Sequence, residues 1–218
     1  MATLVSKGRA EVDSRERLLR AGLSIARRSG IKAMTVRAVA TKARANLGSF
    51  VYHFGTRDTF VDLLMERWYA PMFERLRLTA DEADDALTAL RRVILQLVRW
   101  IVENRAFLAH LVIDAGAGEA GAQRFLRSLD QRHPALLLRL IGQAQRARQL
   151  RRDDPLHQLL FLMSTLAAPA LLLHLLGQSR AAPPELARAL SSFAGDIAQV
   201  EIRLGWALRG LAPDGQGG

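Results

Sequence analysis

Apolar residues recur at three- and four-residue spacing along most of the chain, and β-branched residues nowhere alternate over the length of a strand. The pattern predicts an all-α protein of about nine helices. The first opens at Asp13 or Ser14, where Asp13-Ser14-Arg15-Glu16 reads as a capping box. Leu18, Leu19, Gly22, Leu23, Ile25 and Ala26 form its inner stripe, and Ser29-Gly30 ends it. Thr35 caps a short helix from Val36 to about Thr41. Lys42-Ala43-Arg44-Ala45 is a turn, and Asn46 caps a second short helix reaching about Tyr52. His53-Phe54-Gly55-Thr56 separates it from a long helix over 57–78.

Beyond residue 80 the chain is more apolar. An acidic start at 81–85 suits the positive end of a helix dipole, and Leu87, Leu90, Ile94, Leu97, Val98 and Ile101 follow at helical spacing to about Asn104. Further helices are predicted over 106–115, 119–132, 134–149, 156–177 and 184–211, the fourth-from-last joint being Ala115-Gly116-Ala117-Gly118. The expected division is a helix-turn-helix domain over 1–56, a helical body over 57–211, and a disordered tail over 212–218.

Charge changes the picture. Residues 1–60 hold 12 Lys and Arg against four acids, so they carry +8 of the net +10. A basic module on a nearly neutral body points to a polyanion partner for the first part, against the simpler reading of a solvated basic face. There is no cysteine, which excludes disulfide scaffolds, thiolate metal sites and cysteine nucleophiles. The first residues lack the apolar run of a signal peptide, and a cytoplasmic protein is expected. The basic arm 1–12 reads as a solvated tail or as a strand for the minor groove.

The segment Thr35–Phe54 has the dimensions of a helix-turn-helix unit. Val36, Val39, Ala40, Ala43, Ala45 and Phe50 are small or apolar where two helices must pack. The second helix then offers hydrogen-bonding groups at its start, as a recognition helix does. Asn46 and Ser49 are candidate base readers, and Leu47 suits a thymine methyl. Thr35 and Asn46 present helix N-termini to phosphate. Arg37, Lys42, Arg44 and Arg57 are candidate phosphate neutralisers, and Tyr52 and His53 could bond backbone oxygens. Gly48 inside the helix costs about 1 kcal/mol of propensity, which a close approach to backbone or DNA would explain.

These residues resemble the tetracycline-repressor (TetR) family of bacterial transcription regulators. The resemblance rests on Thr35-Val36-Arg37-Ala38-Val39-Ala40, Ala43, Asn46-Leu47-Gly48-Ser49-Phe50-Val51-Tyr52-His53-Phe54 and Thr56-Arg57-Asp58, about 25 residues in all. Three positions depart from the family pattern. Arg44 stands at a turn position usually held by Gly, Val51 where Tyr is frequent, and Asn46 where Ser or Thr is usual. The resemblance implies a three-helix DNA-binding domain, a C-terminal small-molecule domain, and a two-fold homodimer binding an operator with dyad symmetry. It places the dimer interface on the last two helices. There Leu166, Ala167, Ala170, Leu190, Phe193, Ile197, Val200 and Leu204 are the candidates.

Trp68, Met72, Trp100, Phe107, His110, Phe125 and Phe161 are candidate walls of a pocket for a small hydrophobic effector, with core packing as the alternative for each. Pro71 interrupts the long helix between the two regions and is a candidate lever. Two other features invite different functions. Gly116-Ala117-Gly118-Glu119-Ala120-Gly121 is a literal GxGxxG, but no strand precedes it and no acid follows at the spacing of a dinucleotide fold. The span 156–177 approaches membrane length but contains His157, Gln158, Pro169 and His174. His110 and Asp114, four apart, are too few to specify a metal. The expectation is a ligand-responsive DNA-binding regulator, a repressor released by its effector. It has no catalytic residue, cofactor, metal or membrane partner. A helical enzyme using the GAGEAG loop and a membrane-associated helical adaptor are the alternatives.

Overall fold

A computed structural model describes the backbone of residues 2–179 and 183–213, and side chains over 13–175 and 183–213. Among the described residues there are twelve helices and no strand. They are α1 (Ala2–Ser29), α2 (Val36–Ala43), α3 (Leu47–Phe54), α4 (Arg57–Asp81), α5 (Ala86–Glu103), α6 (Arg105–Gly116), α7 (Ala120–Ser128), α8 (His133–Arg146), α9 (Pro155–Leu166), α10 (Ala168–Ser179), α11 (Pro184–Gly195) and α12 (Ile197–Gly210). Of the 1–12 arm only the backbone of residues 2–12 is described, and most of the expected tail lies outside the described residues.

Helix α1 starts at Ala2, eleven or more residues ahead of the expected cap. The supposed capping box is spent otherwise. Asp13 pairs with Arg17 one turn on, and the Glu16 carboxylate takes both Arg67 Nη1 and Nη2 at 2.6 Å.

Contacts divide the chain into two compact units, one of residues 1–69 with 110–127 and the other of 70–109 with 128–218. The expected boundary at residue 56 follows chain order; this division does not. Helix α4 passes from the first unit to the second just before Pro71, and α6 returns from the second to the first after Ala109.

In the first unit α1 packs on α2 and α3. Leu18, Ala26, Ile31, Met34, Val39, Phe50, Phe60 and Val61 are fully buried there, each large side chain contributing roughly 1.5–3 kcal/mol. Phe50, Phe54 and Phe60 form a tilted cluster with ring centres 4.8–5.4 Å apart. Gly22 lets α1 approach that cluster, because a methyl there would collide with the Phe60 ring.

In the second unit α5 packs on α8 through Leu90, Ile94, Leu97 and Val98 on one side and Leu137, Leu140 and Ile141 on the other. Asp85 caps α5, accepting from the Leu87 and Thr88 N–H groups and the Thr88 hydroxyl. Those bonds and the Gln149 amide hold its carboxyl well below the usual range, at about 2.

Both long C-terminal helices expected from the sequence are broken. The first breaks at Ala167, with a 41° bend between α9 and α10. Pro169 lacks the N–H that would bond the Thr165 carbonyl. The second breaks at Asp196, whose extended backbone ends α11 and starts α12. That break frees the Phe193 carbonyl. A single side chain satisfies both carbonyls: Arg203 donates from Nη1 to Thr165 O at 2.8 Å and from Nη2 to Phe193 O at 2.6 Å. Its guanidinium stacks 3.9 Å from the Phe193 ring centre, and the residue is only 3% exposed. Burial lowers its pKa, and no carboxylate pairs with it among the described residues.

Candidate nucleic-acid interface

The helix-turn-helix unit forms as read. Thr35 caps α2, its hydroxyl accepting from Ala38 N–H at 3.1 Å. Asn46 caps α3, its Oδ1 accepting from Ser49 N–H at 2.7 Å. The turn between them is made by Arg44 in the left-handed region at φ 52°, its N–H donating back to Ala40 and Thr41 carbonyls. The family's usual Gly would adopt that conformation without strain; Arg44 adopts it at a cost of about 1–2 kcal/mol.

Helix α3 buries Phe50 and Phe54 and turns Leu47, Gly48, Val51 and Tyr52 to solvent, Tyr52 being 72% exposed. A methyl at Gly48 would touch only the Asn46 side chain at 3.5 Å, so no protein backbone accounts for this glycine; the space it leaves faces outward. Val51, a departure from the family pattern, is an exposed apolar residue on the same helix. Arg37, Lys42 and Arg44 are exposed, and no side-chain partner holds their charges among the described residues.

Two candidates are placed differently. Arg57 is not a free cation. Its Nε donates to Met34 O at 3.0 Å, Nη2 to Ile31 O at 2.8 Å, and Nη1 meets Glu119 at 3.1 Å. It ties the turn before α2 to the start of α4 instead of facing phosphate. His53 is half-buried, its Nε2 within 2.5 Å of the Ser14 hydroxyl on α1, with Ser49 Oγ 3.4 Å from the same hydroxyl. Those bonds set the pitch of α3 on α1. Ser49 is accordingly half-turned toward α1, while Asn46, Leu47 and Tyr52 stand out.

The segment 110–127 supports this unit in a way no sequence motif announced. Asp114, 7% exposed, accepts N–H groups of Ile31 at 2.5 Å and Lys32 at 3.2 Å. Gly30, at φ 81°, leaves the room that carboxylate fills. The GAGEAG stretch belongs to the same support. Glu119 pairs with Arg57, and Gly121 lies so close to Val61 that a methyl would overlap it. Arg124 reaches Asp62 and Asp58 on α4. Of the three glycines only Gly121 serves close helix packing; Gly116 and Gly118 face open space, and Gly118 makes the joint at φ 84°. Asp114 is committed to the α1–α2 turn and not to a shared ion with His110.

The effector candidates fall in both units. Trp68, His110 and Phe125 belong to the first, with Phe125 against Trp68 and Tyr69. Met72, Trp100, Phe107 and Phe161 belong to the second. Met72 and Phe107 are fully buried core, and Phe161 is 44% exposed on α9.

The interface candidates also need correction. Leu166, Ala167, Ala170, Val200 and Leu204 are already buried within the chain, where they join α9, α10 and α12. Leu190 and Ile197 are half-buried, whereas Phe193, stacked on Arg203, keeps 43% of its surface exposed and stays a candidate. The outward apolar stripes are instead Leu156, Leu160 and Phe161 on α9 and Ile202 and Trp206 on α12, two helices that pack on each other. On α12 the expected face, Val200 and Leu204, and the outward one, Ile202 and Trp206, are two residues apart and so lie on opposite sides of the helix. Periodicity marks two apolar faces on such helices and cannot rank them. No single helix among the described residues is long and apolar enough to cross a membrane. The bent pair α9–α10, apolar enough when joined, buries Leu159, Leu162 and Leu166 in the second unit.

No family model and no curated protein matches the sequence. Solved structures do match the fold. A Clostridium perfringens protein assigned to the regulation of fatty acid metabolism has a TM-score of 0.67 at 18% identity, over 90% of this chain and 98% of its own. SmeT in complex with triclosan has 0.65 at 21%, over 93% of each chain. The regulatory protein TetR from Rhodobacter sphaeroides has 0.59 at 17%, over 91% and 99%. The likeness therefore spans both compact units.

Proposed function

We propose that this chain, which has the fold of TetR-family regulators, is a sequence-specific DNA-binding transcriptional regulator that works as a homodimer in the cytoplasm. The observation that carries the reading is α3. Its N-terminus is capped by Asn46, and it exposes Leu47, Gly48, Val51 and Tyr52 near the chain's unpaired Arg37, Lys42 and Arg44. A short helix with apolar and amide groups outward at its start suits the major groove, and solvent-facing cations suit the flanking phosphates. The apolar stripes of α9 and α12 are the surface on which a second copy docks. Two copies would set paired α3 helices about 34–36 Å apart, or a multiple of that.

Repression relieved by a small molecule is the regulatory reading. The SmeT structure, a complex with triclosan, supports a small-molecule effector here. Two helices run through both compact units, and each carries a device where it does so. Pro71 lies in α4 at the change of unit, and the last turn of α6 carries Asp114, which holds the turn ahead of α2. An effector that favours one position of α4 or α6 lowers DNA affinity by its differential binding to the two states.

Selection of bound duplexes from a random pool tests the reading. The expected result is a single site with dyad symmetry. Asn46→Ala or Leu47→Ala should relax the preference at defined positions, and Arg37→Ala should weaken all sites and lower the salt slope by about one. Recovery of no enriched sequence at low salt would overturn it.

A further inference from the structure

The second unit carries a cleft of about 580 Å³ that none of the expected pocket residues lines. It is open to solvent, lined by the exposed Arg105 at the start of α6, Leu173 on α10, the exposed Arg188, Ser191, Ser192 and Gly195 on α11, and Asp196 after it. The four α11 residues stand at i, i+3, i+4 and i+7, so one polar face of that helix forms a continuous wall. Gly195 extends the wall without a side chain: a methyl there would meet nothing within 4 Å.

Among the described residues most donors in this cleft are uncommitted. Arg188, Ser191 and Ser192 have no side-chain hydrogen-bond or ion-pair partner among the described residues. Arg105 spends one guanidinium N–H on Val102 O at 2.9 Å and keeps the others. Asp196 is the one acid, and it is already engaged, its Oδ1 accepting the Ala198 N–H at the positive end of α12. The lining therefore holds two guanidinium groups and one carboxylate already bonded to a backbone N–H, and Leu173 with the arginine stems supplies an apolar side.

We propose that this cleft is a binding site for a small organic oxyanion, a carboxylate or phosphate monoester on a compact apolar body. Arg105 and Arg188 present planar N–H forks that match a two-oxygen anion. The Ser191 and Ser192 hydroxyls complete its hydrogen bonds, and the apolar body lies against Leu173. Lysine-like point charges would accept any anion; paired forks beside an apolar wall select one that is planar or tetrahedral and carries a hydrophobic part. The site does not depend on the DNA-binding reading, since it is read on the chain alone, and failure of either leaves the other standing.

Calorimetric titration of the full chain with 2-naphthoate, 2-naphthyl phosphate and the neutral 2-naphthamide tests it. At least one anion should bind about tenfold or more tighter than the amide, as expected for a charged hydrogen-bond pair. The tighter of the two anions identifies the headgroup. R105Q with R188Q should reduce that affinity about tenfold or more and leave the amide unchanged. G195L, which fills the cleft without altering charge, should weaken the anion and the amide alike. Far-UV circular dichroism and thermal melts establish that the variants are folded. The proposal is overturned if neither anion binds at millimolar concentration, if the amide binds as well as the anions, or if the double variant binds the anions as the native chain does.

Discussion

Arg44 and Arg57 were both legible as cations of the helix-turn-helix segment, and the structure gives them opposite duties. Arg44 sits at φ 52° with its charge in solvent. Arg44→Gly relieves the left-handed strain and should raise stability by about 1 kcal/mol, measured by denaturant unfolding. The same change removes a phosphate contact, so the salt slope of DNA binding should fall by about one. Arg57 is held by two carbonyls and Glu119. Arg57→Ala strands those acceptors and should cost about 2–3 kcal/mol of unfolding free energy, leaving the salt slope of the folded protein unchanged. A lowered slope with undiminished stability would return Arg57 to the DNA surface. Residue type and motif position could not separate the two, because what differs is the partner, and Glu119 lies 62 residues away.

Helix breaks are where reading by element stops. Periodicity found the span of every helix pair in the C-terminal half but carried 156–177 and 184–211 through as single rods. Pro169 was a visible signal for the first break. Asp196 is also a visible N-cap, accepting from Ala198 N–H, yet inside an apolar stripe it reads as one more polar position. What makes both breaks tolerable is Arg203, and an arginine in a helical stripe looks like a surface residue until the carbonyls it serves are known. Arg203→Met keeps the length and loses the donors. It should destabilise the protein by about 2–4 kcal/mol with a lower melting temperature, since two buried carbonyls lose their partners. Unchanged stability would mean that water or a helix rearrangement replaces the guanidinium. The capping box at Asp13 failed for the reverse reason: the local motif is present, but helix formation continues upstream to Ala2 and nothing there needs a cap. The helix-turn-helix, by contrast, was readable throughout, because Thr35 and Asn46 cap their helices by bonds within three residues.

At the scale of the molecule, the all-α fold was recognisable from pattern and resemblance, but the two compact units are not successive stretches of the chain. Residues 110–127 join the N-terminal helices through Asp114, Glu119 and Arg124, acids and a cation that no local pattern singles out. The apolar faces of α9 and α12 give the assembly its test. Trp206 is 60% exposed and Ile202 and Leu160 are comparably open. Ile202→Glu with Trp206→Glu places charges on that stripe and should convert a dimer to monomer in sedimentation, with helical content retained. Persistence of the dimer would move the interface elsewhere.

The central claim is that paired α3 helices read a duplex, and binding of the purified chain to its selected duplex, with stoichiometry followed by sedimentation at fixed salt, tests it most directly. The account predicts two chains, or a multiple of two, per duplex. It also predicts affinity roughly a thousandfold or more above that for a scrambled duplex. A single bound chain, or equal affinity for the two duplexes, would contradict it.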